Sequence, residues 1–137
     1  PEDSAGGIMT TEYAAVRPNM TAGQAIQYLR ENAEDAETIF YIYVTDEKEH
    51  LVGVFSLSSL IFAKPDSVVA DFMKTNVISA SLLDNQDDVA RLVAKYDLLA
   101  LPVVDEENVL SGIVTADDAL DKIIPTAWKK RLPRFFR

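Results

Sequence analysis

Apolar residues recur at Ala22, Ala25, Ile26 and Leu29, the three-and-four spacing that gathers side chains on one stripe of a helix. A second stripe runs through Val89, Ala90, Leu92, Val93 and Tyr96. Thr21 with Gln24, and Asn85 with Asp88, open these two segments, and such pairs satisfy the amide donors that a first helical turn leaves free. After each helix the pattern changes. Tyr41-Ile-Tyr-Val-Thr-Asp46 and Leu51-Val-Gly-Val-Phe-Ser56 predict two short strands, rich in β-branched and aromatic residues and joined by a polar turn. Leu101-Pro-Val-Val-Asp105 and Leu110-Ser-Gly-Ile-Val-Thr115 predict two more. A further helix is expected after each pair, at residues 57–62 and 116–123.

These segments are two copies of one pattern, each reading helix, strand, strand, helix after a short lead-in strand. The helix starts Thr21 and Asn85 lie 64 residues apart, whereas Gly53 and Gly112 in the second strands lie 59 apart. Copy one therefore carries about five extra residues around 32–38, read as a loop. Residues 64–74 join the copies, and Pro65 stops the preceding helix. The division expected is a linker from a preceding domain over 1–8, repeats over 9–74 and 75–124, and a basic tail over 125–137. Neither small sheet can bury both faces alone. An α/β fold follows, two βαββα units with sheets face to face and helices outside, related by a pseudo-twofold axis.

Composition narrows the chemistry. With 137 residues and 48% hydrophobic content a real core can form, and no apolar run is long enough to span a membrane as a helix. No cysteine is present, which excludes disulfides, thiolate metal sites and a cysteine nucleophile. His50 is the sole histidine, so a transition-metal site is not expected. Neither a Ser-His-Asp arrangement nor a glycine-rich phosphate loop can be argued from the spacing, and an enzyme is not expected. The net charge of −9 conceals an asymmetry, because residues 1–128 carry a balance of −14 and residues 129–137 hold five basic residues with no acid. So acidic a body repels phosphate backbones, which argues against nucleic acid, and attracts divalent cations. The tail from Trp128 to Arg137 suits an anionic lipid surface or an acidic partner, equally its own acidic body or a free end.

Leu101-Pro-Val-Val-Asp105, Gly112-Ile-Val-Thr115 and Thr115-Ala-Asp-Asp118 resemble the signatures of CBS-domain pairs, over about residues 9–124. More narrowly, the stretch from Pro1 to Thr10, Tyr41-Ile-Tyr-Val44 and Tyr96-Asp-Leu-Leu-Ala-Leu-Pro102 look like the MgtE magnesium transporters. That resemblance implies a cytoplasmic regulatory module, a disc-like homodimer, a preceding helical domain and a following membrane domain. It also implies magnesium sensing through carboxylates and an adenine nucleotide (ATP, ADP or AMP) in a cleft. A ligand-free dimerisation module of a soluble CBS protein is the alternative. The chain's end departs from the transporter pattern, with Lys129 and Lys130 where an acidic helix would run.

The resemblance assigns the Thr115 hydroxyl to a phosphate and the Asp118 carboxylate to ribose hydroxyls. Read from the residues alone, Thr-x-x-Asp at a helix start is equally a capping box. Copy one has Ser56 and Ser59 there, without the carboxylate, so one nucleotide site is expected rather than two. Ile78, Ala80, Leu99, Ala100 and Pro102 are expected to shape an apolar slot for the base, with Tyr41 as a stacking ring or an ordinary strand aromatic. Asp97, Asp118 and Asp121 match transporter positions implicated in magnesium binding, with Asp87 and Asp88 adding charge nearby. The acidic stretches Asp46–Glu49 and Asp105–Glu107 read as hairpin turns.

Overall fold

The computed structural model describes residues 3–33 and 40–119 in full, and 120–123 as backbone. Residues 34–38 of the inserted loop, the tail from 125 and the side chain of Asp121 lie outside the described residues. Four helices match their expected positions. These are α2 (Ala22–Asn32), α3 (Leu57–Phe62), α5 (Gln86–Lys95) and α6 (Ala116–Ile123). Thr21 and Gln24 form the expected reciprocal cap on α2, at 3.1 and 2.9 Å. Asn85 instead accepts from the nearer Asp87 amide at 2.7 Å, a tighter turn that leaves Asp88 free to meet Arg91 at 3.3 Å.

Each repeat contributes a three-stranded sheet. In the first, β1 (Ala15–Val16) runs parallel to β2 (Tyr41–Thr45), which pairs antiparallel with β3 (Leu51–Ser56). In the second, β4 (Ala80–Ser81), β5 (Ala100–Val104) and β6 (Leu110–Thr115) repeat that order. Strand alternation sorts the side chains into three cores. Ile42 and Val44 join Val16, Ala25, Phe55 and Leu60 beneath the first repeat's helices. Leu101 and Val103 join Val89, Val93, Val114 and Ala119 beneath the second's. The remaining parity, Tyr43 from one sheet and Ala100, Val104 and Ile113 from the other, fills the space between the sheets. The layers are thus helix, sheet, sheet, helix.

Two short helices lie in segments read as linkers: α1 (Ala5–Ile8) and α4 (Val69–Phe72). Each docks on the repeat other than the one it leads into. Ala5 is fully buried in the second repeat's core, and Thr10 exchanges hydrogen bonds of 2.8 and 2.9 Å with Ile113. Val69 is fully buried in the first repeat's core, and Lys74 exchanges bonds of 2.8 and 2.9 Å with Val54. The arms cross. Gly112 and Gly53 are where they pass, since a Cβ on Gly112 would lie 2.7 Å from the Thr10 carbonyl oxygen and one on Gly53 would lie 2.6 Å from Met73 Sδ.

Candidate functional site

At one end the two sheets are joined by backbone. The hairpin turns meet there, with the Leu51 amide donating to the Asn108 carbonyl at 3.0 Å and the Leu110 amide to that of Glu49 at 2.9 Å. Glu49 and Asn108 both adopt positive φ, at 68° and 65°. Arg17 braces this end through Thr45 and through a 2.6 Å contact with Glu49. His50 Nδ1 lies 2.9 Å from Asp46 Oδ2, and the His50 amide bond to Asp46 holds that carboxyl below its usual range. The acidic turns are indeed turns, each with an aspartate accepting amides of its own loop.

Toward the other end the sheets part around a cleft of about 330 Å³. Tyr41 and Tyr43 of β2, Ser56 of β3 and Ser59 of α3 form one wall. Lys74, Asn76 and Ile78 on the approach to β4 line it as well, with Ala100 and Pro102 of β5. Aromatic and apolar surfaces therefore enclose most of the space, and Ser56, Ser59, Lys74 and Asn76 are the polar residues among the rest. The Tyr41 hydroxyl accepts from the Leu99 amide at 3.2 Å and so ties the first sheet to the second. Among the described residues, Tyr43 carries the buried side-chain oxygen that finds no partner. Burial, reinforced by the neighbouring Tyr41, pushes its phenol well above the usual value.

The structure brings together only part of the expected set. Tyr41, Ile78, Ala100 and Pro102 share this cleft, but beside Ser56 and Ser59 rather than beside Thr115 and Asp118. Ala80 lies elsewhere: its register partner is Val103, so it points to the helix side and is buried in the second repeat's core. Ala80 therefore does not shape the slot. Leu99 precedes Ala100 and turns its side chain out, 49% exposed; what it contributes is backbone, donating to Tyr41 and accepting from the Ala116 amide at 2.9 Å. Lys74, Asn76 and Tyr43 were not anticipated. The crossing of the arms puts Lys74 and Asn76 there, and the helical and strand patterns carry no mark of it.

At the head of α6 the Thr115 hydroxyl accepts from the Asp118 amide at 3.3 Å, the capping arrangement, and leaves the Asp118 carboxylate exposed. Asp97 is exposed at a φ of 53°, the left-handed turn that ends α5 and that aspartate tolerates. Among the described residues no three carboxylate or histidine side chains converge closely enough to cage a metal ion.

The family model for the CBS domain matches residues 5–66 and again 69–125. The chain belongs to the CBS domain family. This CBS pair is 55% identical over 120 residues to the magnesium transporter MgtE of Thermus thermophilus, covering 88% of this chain and 27% of that protein. It is 49% identical over 127 residues to the MgtE of Bacillus subtilis, covering 93% and 28%. The pair thus spans about a quarter of the length of these relatives. Among solved structures, the cytosolic domain of the Mg2+ channel MgtE in complex with ATP superposes with a TM-score of 0.87 at 54% identity, over 90% of this chain and 50% of that one. The soluble part of a magnesium transporter gives 0.87 at 46% identity, over 90% and 48%. The likeness read from Leu101–Asp105 and Tyr41–Val44 is borne out, as is the α/β architecture of paired repeats. No described helix is long and apolar enough to cross a membrane.

Proposed function

We propose that this CBS pair is the cytosolic regulatory module of a magnesium-transporter-like protein, working as a homodimer beside other domains of its parent chain and catalysing nothing. An adenine nucleotide occupies the cleft between the sheets, its base against Tyr41, Ile78 and Pro102 and its phosphates toward Lys74. Asp118 and Asp97, with Asp121 further along α6, attract magnesium at the surface. Either ligand acts by preferring one relative placement of the two repeats.

One observation carries the reading: an aromatic and apolar cleft with a single ammonium group, in a chain 54% identical to a domain whose structure is described in complex with ATP. It also relieves Asp118 of a double duty. The alternative, an assembly module without small ligands, draws support from the exposed apolar side chains Phe40, Ile61 and Phe62.

Calorimetric titration with ATP, ADP and AMP, each with and without magnesium, separates the readings. Saturable binding that weakens about tenfold or more in Lys74→Ala, with Asp118→Ala changing only the magnesium dependence, is expected. Loss of nucleotide binding in a folded Asp118→Ala protein would move the site to the head of α6. No heat and no thermal shift with any ligand would favour the assembly module.

A further inference from the structure

Among the positions that face the cleft, one differs between the repeats by a carboxylate. Ser56 and Ser59 open α3 as Thr115 and Asp118 open α6, at the 59-residue interval of the strands. Where the second repeat has a carboxylate, the first has a hydroxyl. Ser59 lines the cleft, and none of the described residues lining it is an aspartate or glutamate. The serine hydroxyls are moreover engaged with each other. Ser56 Oγ accepts from the Ser59 amide at 3.1 Å and lies 3.0 Å from Ser59 Oγ and 3.2 Å from Ser58 Oγ.

This lining suits some parts of a nucleotide and neglects another. A phosphate finds the Lys74 ammonium and the Asn76 amide, and a base finds the Tyr41 ring and the apolar wall. Ribose hydroxyls are gripped in nucleotide folds by an acidic side chain, a strong acceptor for both donors of the diol. Here the position that would present one holds Ser59.

Resting on the adenine-nucleotide reading above, we infer that this cleft reads base and phosphate and is indifferent to the ribose hydroxyls, with Ser59 as the specificity-determining residue. Its ligand class then extends to deoxynucleotides. Restoring a carboxylate at that place creates the missing discrimination.

The test titrates the wild-type chain and Ser59→Asp with ATP and with 2′,3′-dideoxy-ATP. Wild-type affinities for the two agree within about threefold, whereas Ser59→Asp favours ATP by about tenfold, the worth of a charge-assisted hydrogen bond. A wild-type preference for ATP of about tenfold or more would overturn the inference while leaving the nucleotide reading in place, and needs no variant to be folded. Indifference in both proteins would remove Ser59 as the determinant. Binding of neither ligand would sink both proposals together.

Discussion

Gly112→Ala tests the crossing of the N-terminal arm over β6. The new methyl would lie 2.7 Å from the Thr10 carbonyl oxygen, 2.8 Å from Met9 Sδ and 3.1 Å from Met9 Cγ. Met9 can rotate, but Thr10 is backbone and is held by its paired bonds with Ile113. The arm must therefore lift. Overpacking costs about 1–3 kcal/mol, and straining two hydrogen bonds adds about 1 kcal/mol, giving about 3 kcal/mol in all. For a chain of 137 residues that lowers the melting temperature by about 10 °C. Thermal unfolding followed by circular dichroism reads it directly. Gly53→Ala is the internal control, since its nearest neighbours at 2.6 and 3.0 Å belong to the flexible Met73 side chain and the backbone oxygen of Lys74 stands back at 3.1 Å. It should lose less than half as much. A Gly112→Ala protein melting within about 3 °C of wild type would refute the reasoning.

Thr21→Ala removes the side-chain half of the α2 cap, the bond from the Gln24 amide, while its backbone amide can still donate to Gln24; it should cost about 1 kcal/mol in a denaturant titration, with Thr21→Ser retaining most of the cap. Tyr43→Phe deletes a buried hydroxyl that has no partner, so the folded chain should be as stable or more so, and a loss above about 2 kcal/mol would show that the hydroxyl is bonded after all. The phenols of Tyr43 and Tyr13 are raised on folding, chiefly by burial, so their contribution is complete below the unfolded value near pH ~10 and is lost as pH rises above it. Alkaline unfolding should accordingly be coupled to tyrosine ionisation in ultraviolet difference spectra, and Tyr43→Phe should shift its onset upward. At the acid end Asp46 is lowered in the folded state, and protonating it as pH falls should loosen the His50 turn, seen as faster amide exchange there.

Elements set by local pattern were legible in the sequence. The strand pairs, the α2 cap and the heads of α3 and α6 depend on periodicity and capping chemistry that near neighbours determine. The arms were not, because Ala5 and Val69 are small apolar residues in short segments whose packing partners lie far from them along the chain. The cleft followed the same divide. Tyr41, Ile78, Ala100 and Pro102 do line the cleft, but Ala80, paired with Val103, faces the helix-side core, a facing set by sheet register. Lys74 and Asn76 reach the cleft only because their arm returns to β3, which no window of local sequence contains.

The crossed arms also define a load path. Tension on the segment holding Ser4 and Ala5 is borne first by the approach to α5 and by β6, because the backbone bonds of Ala5, Gly6 and Thr10 go to Asp84, Leu82 and Ile113. Ala5 shares its core with Ala119 of α6. A tug on that arm would thus arrive at the helix carrying Asp118 before it disturbed α2, and the repeat nearest in sequence would be the last to feel it.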